Sequence, residues 1–421
     1  MKARLPLFAL VIISPVPSLL ADLEKEGHFS PEGSYAIEIS LDNSPYTRLP
    51  IYRNAVTSLI IAGDTVVGGT TASNGLSPFL FAASLREQRL VQMVDIETVV
   101  PGQRALPTGF SRESKGTLLV GTLPQDVKGD GHLLRVEVTA DGLRARDLGA
   151  PVPGEGVFAL VLDTARGRLY GLTHPSGKFF EYDLAAGKTT VFEGTMLAGR
   201  EQSAYRQFDL KPEQYLSRRL VLDGQGRVYG SLPMGRLFRF DPSSQAVETL
   251  AAGIPAIWGH GQIARLDSWA VAPDGSLYGG NAADGQIFRL NPATGAVQNL
   301  GKPILTPRIK AMSFAADGLL YGVAGGYPGY THVFTYDPKN QSFQDYGIPG
   351  FEMVGEGLAP GTFWRGFQLS ALAVSEEGHT IVMGDDEALS QIMVFPVGAP
   401  QAQPARRAPV SSRKAAPAPA P

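Results

Sequence analysis

Apolar residues along this chain come in short bursts separated by turn residues, and the stretch Trp269–Leu300 sets the pattern. Ala270-Val271-Ala272 is a short apolar run suited to a crowded interior. Asp274-Gly275 then supplies a turn, the Gly tolerating positive φ. Leu277-Tyr278-Gly279 opens a second strand, and Asp284-Gly285 turns again. Ile287-Phe288-Arg289-Leu290 alternates as a half-buried strand does. After Asn291–Gly295, Val297–Leu300 makes a fourth. Four short strands joined by tight turns form one antiparallel meander. A single such sheet cannot bury both faces, but stacked copies can.

The copies are present. The second-strand signature recurs at Val66-Val67-Gly68, Leu119-Val120-Gly121, Leu169-Tyr170-Gly171, Val228-Tyr229-Gly230, Leu277-Tyr278-Gly279, Leu320-Tyr321-Gly322 and Val382-Met383-Gly384. Its glycines are spaced at roughly the length of a propeller blade, with the longer intervals holding insertions. The third strand recurs in step, as in Phe179–Tyr182, Leu237–Phe240, Ile287–Leu290 and Val333–Tyr336. Asp241-Pro242, Asn291-Pro292 and Asp337-Pro338 follow it as turn starters. The last copy has no fourth strand after Val397, whereas Tyr35–Ile39 alternates as a strand ahead of the first. The pattern therefore predicts an all-β, seven-bladed β-propeller of four-stranded antiparallel blades over residues 35–399. The N-terminal strand closes the ring and removes exposed sheet edges.

Composition fits this picture. The 421 residues include 49 Gly and 32 Pro, only 18% are charged, and no long helical period is evident. Residues 1–21 carry Lys2 and Arg4, an apolar run from Leu5 to Ile13, and small residues before Ala21, the pattern of a cleaved signal peptide. The run is short for a membrane span and is followed by Pro15 and Pro17, so no transmembrane segment is expected after cleavage. With no Cys in the chain, these features predict a bacterial periplasmic or secreted protein. Residues 22–34 read as a linker. Residues 400–421 read as a disordered, basic Ala/Pro-rich tail. The formal net charge is −3, and Lys2, Arg4, Arg406, Arg407, Arg413 and Lys414 all lie outside the repeats. The body is thus more acidic than the whole, which argues against nucleic acid as a partner. A monomer is expected.

The chemistry gathers between the repeats. Arg53, Arg104, Arg218-Arg219, Arg265, Arg308, Lys310 and Trp364-Arg365 precede successive first strands, bringing cations to the channel entrance of an otherwise acidic body. Guanidinium forks suit carboxylates. Insertions at Gly194–Gln214 (with Tyr205 and Arg206), Ile254–Asp267 (with Trp258 and His260) and Gly347–Gly366 fall in the same class of loop. Aromatics beside charges suit a glycan cleft, although Trp258 and Trp364 would serve equally to pack the insertions. His132, His174, His260 and His332, the last beside Tyr330, would supply acid–base groups or a metal site if they met at the channel. No His-x-x-x-His spacing occurs, so any divalent metal in the channel must be held across blades. Asp126–Glu137 resembles a calcium loop, but Lys128 replaces an oxygen ligand. Phosphate loops, dinucleotide fingerprints and the Gly-x-Ser-x-Gly elbow are absent.

With Leu-Tyr-Gly, Leu-Phe-Arg-Phe-Asp-Pro and Gly-x-Val-x-x-Leu in register, residues 35–397 resemble bacterial secreted seven-bladed propellers. Polysaccharide lyases acting on uronate-containing glycans are among the proteins of that architecture. That resemblance implies Arg neutralising a uronate carboxylate while His or Tyr moves the C5 proton. On it, His174, His260, Tyr205 and Arg219 are the expected catalytic residues. Arg53, Arg206, Trp258, Arg265, Arg308, Lys310, Tyr330, His332, Trp364 and Arg365 are expected to bind an anionic oligosaccharide or polysaccharide. Two other classes stay open: a non-catalytic propeller binding glycan or protein in the envelope, and a metal-dependent hydrolase or lactonase.

Overall fold

The computed structural model describes residues 28–39, 54–72, 76–139, 141–326, 329–352, 359, 362–366, 368–386 and 391–397. The leader-like residues 1–21, Arg53 and the tail 400–421 lie outside them.

The chain is an all-β propeller of four-stranded antiparallel blades. The meander read from Trp269–Leu300 is the sheet Leu266–Val271, Leu277–Asn281, Ile287–Leu290 and Val297–Gly301, each strand paired with the next. Its neighbours repeat that order, and fourth strands such as Ala246–Gly253 lie mostly in solvent. Second strands such as Val228–Leu232 are buried throughout. The Asp/Asn turns form as expected: Ser243 N–H donates to Asp241 Oδ1 at 2.8 Å and Ala293 N–H to Asn291 Oδ1 at 2.9 Å.

The recurring Gly and Phe explain each other. Gly68, Gly171, Gly230, Gly279 and Gly322 of the second strands pair directly with Phe81, Phe180, Phe238, Phe288 and Phe334 of the third. Each aromatic ring lies across the bare α-carbon opposite. A Cβ on Gly279 would stand 2.3 Å from Phe288 Cζ, and one on Gly322 would stand 2.2 Å from Phe334 Cζ. Gly279→Ala is therefore expected to cost about 1–3 kcal/mol through overpacking. Gly224→Ala, whose Cβ would meet nothing within 4 Å, should stay within about 0.5 kcal/mol of the parent. Urea unfolding midpoints of the two variants check both values.

The core is a series of apolar clusters between adjacent sheets. Tyr170 and Phe179 pack with Phe238 and Phe240 of the next sheet, Tyr229 with Leu277 and Phe288, and Tyr278 with Leu320 and Phe334. The last of these clusters joins the chain's two ends, with Ile37, Val382 and Ile392 against Val56, Val66 and Phe81. Tyr35–Glu38 pairs antiparallel with Gln391–Pro396, as the alternation at residues 35–39 predicts.

Two expectations need correction. Among the described residues the structure has eight sheets where the repeat predicts seven. The additional one has three strands: Ile348–Glu352 pairs antiparallel with Phe363–Arg365 and parallel with His28–Phe29. Of the stretch 22–34 read as a linker, the described part includes the strand His28–Phe29, and residues 22–27 lie outside the described residues. Phe29 stacks 4.9 Å from Phe395 and, with Phe351, joins the cluster between the two sheets on either side. Burying such rings contributes about 1.5–3 kcal/mol each. That gain lets a short pair of remote strands dock without the repeat's signature.

Candidate functional site at the channel mouth

One irregularity recurs at the start of the first strands. Pairing with the second strand slips by one residue between Val56 and Ser58, Val157 and Ala159, Leu266 and Ser268, Ile309 and Ala311, and Leu369 and Ala371. The residues squeezed out of the ladder are Thr57, Phe158, Asp267, Lys310 and Ser370. A bulge re-aims the side chain it carries. All five line one cavity of about 250 Å³, together with Thr71, Pro107, Arg218, Arg219, Arg308 and Asp386. These residues come from sheets all round the ring. They sit where first strands begin and second strands end, which is the face carrying the inter-sheet loops and insertions.

The cavity wall is charged and unbalanced, with Arg218, Arg219, Arg308 and Lys310 facing Asp267 and Asp386. Asp267 is the hub. Its Oδ2 accepts from Arg308 Nε at 2.9 Å and lies 2.8 Å from Arg308 Nη2, while Arg218 Nε and Arg265 Nε stand 3.3 and 3.5 Å from Oδ1. Burial opposes its ionisation, but Arg308, Arg265 and Arg218 together outweigh this and hold the carboxyl far below its usual range. Asp267 in turn raises Arg308. Lys310 Nζ lies 3.2 Å from Asp386 Oδ2, and burial lowers its proton affinity against that pairing. Arg218 also sits over the Phe158 ring, its Cζ 5.7 Å from the centroid.

Arg219 differs from the others. Its Nη1 donates to the carbonyls of Pro107 and Arg218, and no carboxylate salt-bridges it among the described residues. Burial, reinforced by the charge of Arg218, pushes the guanidinium down to about 10. A cation held this way gains from any anion that enters.

The expected site residues divide. Arg219, Arg308 and Lys310 line the cavity. Arg265 stands behind Asp267 and donates to the Gln214 carbonyl at 3.1 Å, tying an insertion to the ring, and burial lowers it to about 10. His174 is not among the lining residues. It stacks behind Phe158, with ring centroids 5.8 Å apart, and reaches Glu213 Oε2 at 3.2 Å. Tyr205 and Arg206 lie on the single-turn helix Ala204–Phe208, and His260 on His260–Ile263, both in the insertions. Trp364 packs against the cluster beneath the additional sheet, where its partner strand residue is Phe351, and Arg365 is exposed. Tyr330 is exposed on its loop.

The histidines do not meet. His332 Nδ1 is 2.9 Å from Asp345 and His132 Nδ1 is 2.9 Å from Asp147, so each latches the start of a third strand to the end of a fourth. The Asp345 hydrogen bond raises His332 above its ordinary value. Among the described residues no group of three or more His, Asp or Glu could hold a metal ion. Sequence reasoning passed over Asp267, Phe158, Thr57, Ser370 and Asp386. A carboxylate at Asp267, close after the run of cations Arg218, Arg219 and Arg265 and before Arg308 in the chain's inter-sheet loops, is the one charge-based signal for it.

A larger depression of about 410 Å³ runs along Pro175, Thr195, Arg200 and Pro212. It is open, and its charged lining residues are Arg200 and Glu201, with no excess of either sign, whereas the smaller cavity gathers four cations and two carboxylates. No helix among the described residues is long and apolar enough to cross a membrane.

No family model matches the chain, and no curated protein sequence matches it. Solved structures do. Virginiamycin B lyase from Staphylococcus aureus superposes with a TM-score of 0.55 at 11% identity, covering 82% of this chain and 95% of that one. The extracellular domain of the putative hybrid two component system BT4673 from B. thetaiotaomicron gives 0.56 at 14%, covering 89% of this chain and 40% of that one. The RRP9 WD40 repeats give 0.53 at 12%, covering 82% and 94%. At these identities the likeness speaks for the propeller fold alone.

Proposed function

We propose that this protein is an exported propeller that holds a carboxylate-bearing ligand at its channel mouth. The observation that carries the reading is Arg219, a half-buried guanidinium whose hydrogen bonds among the described residues go to backbone carbonyls, in a cavity wall with more cations than carboxylates. A fixed guanidinium in a desolvated site recognises a carboxylate by charge and by its two-pronged geometry. The leader-like residues 1–21 support export. A uronate-containing glycan is one ligand of this chemistry. Titration calorimetry with an oligouronate, with a neutral glycan of equal length, and with succinate tests the reading. Both acids should bind and the neutral glycan should not; failure of every carboxylate to bind would sink it.

A second reading, β-elimination of a uronate, is favoured by Lys310. Its amine shares the cavity with Arg219 and Arg308, and burial lowers its hold on a proton. Lys310 would take the C5 proton while the guanidiniums stabilise the charge developing on the carboxylate. The C4–O bond then breaks and its oxygen takes up a proton. Growth of ultraviolet absorbance from an unsaturated uronate, abolished in Lys310→Met, is the expected result. A flat trace on a broad polyuronate panel leaves the protein a binding module.

A further inference from the structure

On loops of the face that carries the mouth, large apolar side chains stand in water. Trp258 is 99% exposed, Leu305 94% and Phe208 67%, with Ile257 and Tyr330 also open. Their loops are knitted together edge to edge. Ala204 N–H, on the turn carrying Phe208, donates to Gln262 Oε1 in the Trp258 insertion. Ile257 N–H donates to Asp284 Oδ2 at 2.6 Å. Gly285 lies against the Thr306 carbonyl beside Leu305, and Gly325 N–H donates to the Arg308 carbonyl at 2.9 Å. These neighbouring loops form an arc on the same face as the cationic cavity, ending at Arg308 on its wall, and carry the exposed apolar side chains one after another. Exposed apolar surface of this kind, rimmed by polar groups, marks an interaction site.

We infer that the ligand is an acidic peptide segment of a partner protein, with one carboxylate in the channel mouth and neighbouring large apolar side chains on the arc. This rests on the reading of the mouth as a carboxylate site and narrows it. Leu305 and Ile257 set branched aliphatic surface beside the aromatic faces of Trp258, Phe208 and Tyr330, a mixture that suits aliphatic and aromatic side chains better than a run of sugar rings. The cations are recessed in a cavity of about 250 Å³, which admits a side chain or terminal carboxylate but does not present charge to a flat layer of headgroups. Apolar anchors beside a buried charge are the arrangement that concentrates binding energy in a few residues.

The test is a displayed library of octapeptides with one fixed central Glu and all other positions random, selected on the full chain. Enrichment of Leu, Trp or Phe to one side of the Glu is expected. The enriched peptide should bind the Trp258→Ala/Leu305→Ala double variant about tenfold more weakly, while succinate binds it as it binds the parent. Both side chains are almost wholly in solvent, so the fold should not suffer. Peptides that keep the Glu but show no apolar bias, or that bind the double variant unchanged, overturn the inference and leave the mouth reading intact. Peptides indifferent to Glu→Gln, together with no succinate binding, overturn the mouth reading itself. Sedimentation with phosphatidylglycerol vesicles that depends on Trp258 and Leu305, without peptide selection, assigns the arc to a membrane and also overturns the inference.

Discussion

Asp267→Ala lowers the stability of the chain by about 3–5 kcal/mol, measured by urea unfolding at neutral pH. The effect comes from what is left behind. Asp267 answers Arg308, Arg218 and Arg265; without it Arg265 is left as a buried, unpaired cation and the more exposed Arg218 and Arg308 crowd the mouth with Asp386 as the remaining carboxylate on the cavity wall. The pH dependence follows from the direction of the shift. The folded carboxyl ionises far below its unfolded value of about 4, so its contribution is complete above that value. It is lost as pH falls through the window between the two. The parent should therefore lose stability steeply below about pH 4, and Asp267→Asn, already without the charge, should show a flatter curve there. Equal slopes would mean that the hub carries no such charge linkage.

Arg219→Met has the opposite signature. It should abolish most carboxylate binding, weakening succinate and oligouronate by about 2–4 kcal/mol, or roughly thirty- to a thousandfold in Kd. Stability should stay within about 1 kcal/mol of the parent, because the change removes a half-buried cation with no salt bridge among the described residues, at the loss of its bonds to backbone carbonyls. Calorimetric titration and urea unfolding of the same preparation read the two effects separately. Weakened binding that merely tracks a loss of stability would demote Arg219 to a structural residue.

The fold was legible because its repeat has a physical cause that local sequence records. A Gly opposite a Phe is needed wherever the ring crosses the strand, so Tyr278-Gly279 and Ile287-Phe288 recur in register. The additional sheet escaped because Ile348–Glu352, Phe363–Arg365 and His28–Phe29 are short and remote in sequence, and one pairing is parallel; no periodicity links them. The site was half legible. Loop position picked out Arg219 and Arg308, but the same reasoning promoted His332, which instead latches to Asp345. Phe158, Asp267 and Ser370 were passed over because an alternating strand pattern gives no sign of a one-residue slip, and the slip turns them to the channel.

Those slips separate two tasks that most residues must share. Thr57, Phe158, Lys310 and Ser370 stand outside the strand register, so replacing their side chains leaves the ladder pairing of the frame in place, although Asp267 and Lys310 are each tied to neighbours by charge and Phe158 by its place in an apolar cluster. The ring is in this sense a constant socket with interchangeable contacts. A lineage, or a designer, can alter what the channel recognises by small steps at Thr57 and Ser370, which among the described residues have neither an ion pair nor a place in an apolar cluster, without passing through an unfolded intermediate in sequence space.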